Sequence, residues 1–203
     1  MVPEQKRNAG IAGGILLDLA REEKIKVVDK RIKVLSRATK TSQAHNLALK
    51  KIAGSNKEKK AKTWISNIAS WNGKYRHALL EDMRRKRLIQ VEKKKFLFIP
   101  YTKTRLLDRK KQTALAAELR EVILQKKKLD SETAAILGLI EATRIYRIIS
   151  KDRREQKEMK TRLREMLADD AILKGVGEAI REMQAAVAAS VAATAAATSA
   201  ATS

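Results

Sequence analysis

The sequence predicts a mainly α protein: a single-domain helical bundle carrying two short β-hairpins. Three observations predict it. Glycine and proline together number only ten in 203 residues, so helix breakers are few. Ala, Leu, Ile, Lys, Arg and Glu dominate, and the apolar ones recur at spacings of three and four. Two short segments alternate with period two instead, and each has the pattern of a hairpin.

Taken in order, Gly13 to Leu19 (GGILLDL) opens a helix expected to run to about Glu22. Ile25 and Val27 alternate, Asp29 and Lys30 supply a polar turn, and Ile32 and Val34 alternate again, giving the first hairpin. Thr41 or Ser42 caps a helix through Ile52, and Gly54, Ser55 and Asn56 break it. From about Glu58 to Ser70 the chain reads helical, with Trp64, Ile68 and Trp71 on one core-facing stripe. A turn at Asn72 and Gly73 leads into a helix from Lys74 to about Lys86, expected to bury Leu79, Leu80 and Met83. Next comes LIQVEKKKFLFIPYT, residues 88–102, the second hairpin.

A helix from about Lys110 to Lys127 turns Leu115, Leu119, Val122 and Ile123 inward. Asp130 or Ser131 caps the next, whose run of Ile136, Leu137, Leu139, Ile140, Ile145, Ile148 and Ile149 is apolar most of the way round and belongs at the centre of a bundle. Asp152 caps a charged helix to about Ala168, and a last helix starts near Ala171. Gln184 to Ser203 is mostly Ala with Ser and Thr, too weakly apolar for a membrane span. It reads as a helix whose outer end frays and whose Ala186, Val187 and Val191 pack on the body. The domain reading is a body over 1–183 and an Ala-rich tail over 184–203.

Lys and Arg number 45 against 23 Asp and Glu, a net charge of +22. Self-repulsion of that size points to a polyanionic partner. Cysteine is absent, which excludes disulfides and thiolate metal sites and fits a cytosolic compartment. The first ten residues carry charges before any apolar run and have no signal-peptide character.

Catalytic chemistry is hard to assemble. His77 and Glu81 sit four apart on one helix but lack a third ligand, so no metal is assigned. Asp169 and Asp170 diverge on a helix. Gly10, Gly13 and Gly14 have no strand before them and suit close helix packing rather than a phosphate loop. No Ser-His-Asp spacing is arguable. The expectation is a binding protein, not an enzyme, with no cofactor.

The positive charge concentrates in residues 84–111, which hold 12 Lys or Arg against two acids, Glu92 and Asp108. Arg84, Arg85 and Arg87 open that window. Within it, Phe96, Leu97, Phe98, Ile99 and Tyr101 form an apolar hairpin tip. Lys93, Lys94 and Lys95 bracket the tip on one side and Lys103 and Arg105 on the other. Apolar groups on both faces of a strand leave one face in need of a partner. A lipid interface would take that face while the cations meet anionic headgroups, at about 1 kcal/mol for each Lys or Arg.

Four stretches resemble the Golgi phosphoprotein 3 family, most closely its bacterial members: GGILLDLAREEKIKVVD, KTWISNIASW with the helix after it, RLIQVEKKKFLFIPYT, and ETAAILGLIEATRIYRIIS. The resemblance spans about Gly10 to Ile180. It implies a helical bundle with β-hairpins and a cytoplasmic protein peripherally associated with membranes. It also implies recognition of phosphatidylinositol 4-phosphate, and eukaryotic members help retain glycosyltransferases in the Golgi. Of the family's four pocket groups, one arginine falls on Arg76; its partner falls on Gly73, the first-helix arginine on Ala12, and the tryptophan near Pro3. Arg76, together with Arg84, Arg85 and Arg87 from the start of the basic window, makes up the expected headgroup contacts. The family's apolar leader lies upstream of this start, so the chain reads as a short or truncated version.

The first reading is thus a peripheral protein on an anionic membrane surface. The weaker alternative is a nucleic-acid binder, because a basic helix followed by a hairpin looks like a winged helix, although the tip lacks groups that read base edges. A third reading is a scaffold for cytosolic tails of membrane enzymes, or one that self-associates through the hairpin.

Overall fold

The computed structural model describes residues 3–38, 42–70, 72–96, 99–125, 130–168, 184–193 and 196; the side chains at 72, 93–96, 99–102 and 131 are not among them. It is mainly α, with two separate two-stranded antiparallel sheets, as the sequence predicts. Helix α1 (Glu4–Arg21) begins well upstream of Gly13. Pro3 pre-sets an entry at φ −54°, Glu4 favours the positive end of the helix, and Ala9, Ala12 and Gly13 extend the buried stripe of Ile15, Leu16 and Leu19. Strands β1 (Ile25–Val28) and β2 (Arg31–Val34) pair in the expected register, with Val28 opposite Arg31. Asp29 and Lys30 both take positive φ, 51° and 63°, as a type I′ turn requires.

Ser42 caps α2 (Gln43–Ala53). Helix α3 (Ala61–Ser70) starts later than Glu58, because the residues before it run extended along β2. Arg31 bridges Lys60, Ile32 N–H donates to the Lys59 carbonyl (3.0 Å), and Ala61 N–H donates to that of Lys30 (2.8 Å). Trp64 and Ile68 are buried as expected, and Trp71 lies outside the described residues. In α4 (Asn72–Arg85) the buried face is Tyr75, Ala78 and Asp82, while Leu79, Leu80 and Met83 are only half-buried. The second hairpin is β3 (Ile89–Phe96) and β4 (Ile99–Leu106), longer than the sequence suggested.

Helix α5 (Arg109–Gln125) buries Leu119 and Ile123 but leaves Leu115 48% exposed, since only its second half packs. Asp130 caps α6 (Ser131–Thr143), accepting from Thr133 N–H, and Asp152 accepts from Arg154 and Glu155 N–H at the start of α7 (Arg153–Ala168). The run from Ile136 to Ile149 is not one helix. It ends at Thr143, and Ile145, Ile148 and Ile149 fall in and around a 3-10 turn (Tyr146–Ile148), with Ile148 half-exposed. The helix expected from Ala171 lies outside the described residues, and a further helix, α8, covers 184–193.

Three helices end alike. Glu23, Arg87 and Arg144 take φ near 55° after α1, α4 and α6. Lys24, Leu88 and Ile145 N–H then reach back to the carbonyls of Leu19, Met83 and Ile140. This is a Schellman closure without its usual glycine.

Two cores result. The larger joins α1, α2, α3, the first hairpin and α8; the smaller joins α5, α6 and α7 around Ile123, Leu137, Met159 and Leu163. Helix α6 serves both, with Ala134, Ala135 and Ala142 toward the first and Leu137 and Ile140 toward the second. Val187 and Val191 of α8 are buried and Ala186 packs beside them, as the sequence anticipated. A Cβ on Gly13 would sit 2.4 Å from Val187 and 2.9 Å from Leu139. One on Gly138 would overlap Gln184, whose Nε2 donates to the Ala134 carbonyl (3.1 Å).

Gly13→Ala is therefore expected to destabilise the fold by about 1–3 kcal/mol through overpacking. Gly14→Ala, with its nearest neighbour at 4.0 Å, should stabilise by about 0.5–1 kcal/mol through helix propensity. Paired thermal unfolding curves check the opposite signs. Arg144→Gly should raise stability by about 1 kcal/mol, because glycine adopts the left-handed region without a Cβ penalty; urea midpoints measure it.

Candidate anionic-surface interface

Helix α4 carries the basic window into the second hairpin. Arg87 reverses the chain, Leu88 N–H closes on the Met83 carbonyl (3.0 Å), and Leu107 N–H closes on that of Leu88 (3.0 Å). Ile89 is buried at this base. Among the described residues, α4 is the element outside the hairpin with which it makes extended contact.

The register assigns the faces. Gln90 pairs with Arg105, Glu92 with Lys103, Lys94 with Tyr101, and Phe96 with Ile99. Paired residues share a face of an antiparallel ladder. Phe96, Ile99 and Tyr101 therefore fall on one face with Lys94, Lys103 and Arg105, whereas Lys93 and Lys95 fall on the other. Lys103 and Arg105 are exposed. The described pairing closes at Phe96 and Ile99, and Leu97 and Phe98 lie outside the described residues. Past β4, Leu107 is half-exposed and leads into exposed Arg109, Lys110 and Lys111.

The four arginines expected to hold a headgroup do not meet. Arg84 forks onto Glu81, with Nη2 2.6 Å from Oε1, and that hydrogen bond holds the Glu81 carboxyl below its ordinary range. Arg85 reaches Asp82 at 2.5 Å. Arg87 is exposed at the helix end. Arg76 stands about 13 Å away along the axis, in a shallow hollow shared by Glu4, Gln5, Arg7, Asn8, Ser70 and Gly73. Arg7 was not anticipated. It brings a second guanidinium to Arg76's hollow, although Glu4 pairs with it at 3.6 Å. Its Nε is buried without a hydrogen-bond partner. Knowing that α1 starts at Glu4 is what would have revealed it.

Sequence reasoning also missed a polar network. The His45 ring, buried, bridges Asp18 Oδ2 at 3.0 Å and Ser42 Oγ at 2.6 Å. Ser42 also bonds to Asp82, which accepts from Gln43 N–H at 3.0 Å. Serine, histidine and aspartate do come together, contrary to the reading that no such spacing exists. They do so because α1 and α2 pack side by side, and Ser42 is occupied in capping α2 and bonding Asp82. Burial alone would raise the Asp82 carboxyl, but the bonds from Ser42, Arg85 and the Gln43 backbone outweigh it and hold it below the ordinary carboxylate range.

With this geometry in hand, the comparison with family models decides the lineage. The model described as Golgi phosphoprotein 3 (GPP34) matches residues 2–187. The chain belongs to this family. A search of curated proteins finds no match. In this Golgi phosphoprotein 3 family member, Gly73 and Arg76 line the same hollow, beside the α1 turn that follows Pro3. Ala12 is fully buried, so that position offers no side chain to a ligand. Among the described residues no helix is long and apolar enough to cross a membrane.

Asp82→Ala should destabilise the protein at neutral pH by about 1–3 kcal/mol, since it strands the Gln43 N–H and Ser42. A carboxyl whose folded pKa is depressed contributes above its unfolded pKa and loses that contribution as pH falls through the folded value. The gap between parent and variant should therefore close below about pH 4, read as converging melting temperatures.

Proposed function

We propose that this protein is a peripheral membrane-binding protein that docks on anionic lipid through the second hairpin and its basic surroundings. One observation carries the reading: the register that sets Phe96, Ile99 and Tyr101 on the same face as Lys94, Lys103 and Arg105, on a ladder whose extended contact, among the described residues, is with α4. A face of that composition matches the headgroup boundary, where rings enter the acyl margin and cations stay among phosphates. Half-exposed Leu107 follows β4 and leads into the exposed basic start of α5.

For the headgroup, the family resemblance suggests phosphatidylinositol 4-phosphate, and the hollow holding Arg7 and Arg76 is the place for it. Two guanidiniums with a competing Glu4 favour attraction by charge over stereospecific recognition. Nucleic acid is the less favoured partner, because Arg84 and Arg85 already face carboxylates of their own helix. No reaction is assigned to the protein.

Flotation with neutral vesicles, anionic vesicles and vesicles carrying phosphatidylinositol 4-phosphate at equal charge tests this at two salt concentrations. The parent should float with both charged sets and weaken as salt rises. Phe96→Ser with Phe98→Ser should reduce flotation about tenfold, the loss of roughly 1.4 kcal/mol or more of apolar insertion. Duplex and single-stranded nucleic acid are tested beside the vesicles, and binding to them that survives this pair but fails when Arg84, Arg85 and Arg87 become Ala would shift the assignment to nucleic acid. Gly73→Arg has open space around its Cβ and places a second arginine three residues from Arg76. It should raise preference for the phosphoinositide vesicles several-fold, about 1 kcal/mol, with no change on simple anionic lipid of equal charge.

A further inference from the structure

The first hairpin has an edge that the fold leaves half covered. Antiparallel pairing alternates the direction of backbone groups. Leu35 N–H turns inward to the Lys24 carbonyl (2.8 Å), and Ile32 N–H turns outward to Lys59 (3.0 Å). Val34, two residues on from Ile32, therefore turns its N–H and C=O outward as well. Residues 59–61 cover the edge beside Arg31 and Ile32 and go no further: Val34 has no backbone partner on that side among the described residues.

Beside this open stretch lies a hollow of about 290 Å³, bounded by Val34, Leu35, Arg37, Ile52, Lys57 and Trp64, with Glu58, drawn toward Lys33 at 3.8 Å, also on its rim. Leu35 is 52% exposed at its lip. Trp64 is buried in its wall, and its indole N–H has no hydrogen-bond partner. Arg37 and Lys57 are exposed, and neither forms an ion pair among the described residues. An open strand edge, a hollow with Ile52 and Trp64 in its wall, and two cations without an ion pair among the described residues coincide.

We propose that β2 accepts an extended acidic peptide as an added strand, a segment of a partner protein in which apolar and acidic residues alternate. The peptide backbone pairs with Val34, an apolar side chain enters the hollow against Ile52 and Trp64, and flanking carboxylates meet Arg37 and Lys57. A second copy of this chain suits the edge poorly. Pairing β2 with β2 would set Arg31, Lys33 and Arg37 against their own kind. This inference is independent of the membrane reading, since it concerns the opposite hairpin.

The test titrates the full chain into a fluorescein-labelled twelve-residue peptide of alternating Val and Glu and follows anisotropy. Two control peptides have the same composition sorted into a Val block and a Glu block, or the same sequence N-methylated at alternate residues. The alternating peptide should bind, and each control should bind at least about tenfold more weakly. Val34→Pro removes the outward N–H at an edge position and should weaken binding about tenfold; because Val34 also packs on the core, its melting temperature is measured alongside. Should that variant fold poorly, Arg37→Glu with Lys57→Glu decides the question and is expected to abolish binding. Equal binding of the alternating and block peptides would reduce the effect to bulk charge and overturn the proposal. So would undiminished binding by the Arg37→Glu and Lys57→Glu variant. Gel filtration revealing a dimer that Val34→Pro dissolves would also overturn it, in favour of a second copy.

Discussion

The fold depends on the close approach that small residues on α1 permit. Ala9, Ala12 and Gly13 form a shallow surface against which other elements settle, and Ala12 has no exposed area. Helices α2, α3 and α6 and strand β1 all lie against α1, and α8 closes over it at Gly13, where Val187 leaves no room for a methyl group. Helix α6 repeats the device at Gly138 beneath Gln184. Interiors are packed densely enough that one added carbon at such a contact must displace a helix. The main core exists in this form because two glycines let three helices share one junction.

The charge imbalance has a structural counterpart. Acidic residues recur in contacts that join elements: Glu132 meets Arg21 of α1 at 2.9 Å, Glu141 meets Arg164 of α7 at 2.6 Å, and Glu155 holds Arg120 of α5. Others cap helices, as Asp108, Asp130 and Asp152 do. Carboxylates engaged in this way neutralise nearby cations and leave the remainder of the Lys and Arg excess facing solvent. The field of the molecule is then set by what lies outside these pairs, and along the chain the excess of Lys and Arg is concentrated over residues 84–111.

The two hairpins illustrate how one element type serves opposite ends. The first has Ile25 and Ile32 almost wholly buried in the main core. The second is anchored at Ile89, and its longer strands carry the basic and aromatic residues away from that anchor. Alternation is the same in both, but in the first the body supplies the apolar partner. The second is rich in Lys on both faces, and no helix could cover it without stranding buried ammonium groups. That is the physical ground on which the proposed docking surface rests.

Much of this was written in the chain itself. Period-three-and-four spacing marked the helices, period two marked the hairpins, and Asp29 with Lys30 marked a polar turn, because each depends on a few neighbouring residues. The pairs Thr41 or Ser42 and Asp130 or Ser131 marked two helix starts for the same reason, and the structure chose Ser42 and Asp130. Helix ends were less legible: Glu23, Arg87 and Arg144 stand where glycine would have signalled a stop, so α6 read as continuing to Ile149. The sequence also could not say that Leu115 stays exposed, that Tyr75 and Asp82 rather than Leu80 and Met83 turn inward, or that Arg7 joins Arg76. The same holds for the meeting of Ser42, His45 and Asp18 and for the open edge at Val34. Local pattern is encoded by residues within a turn or two of one another, whereas these features depend on which helices become neighbours, and that is settled by packing around α1.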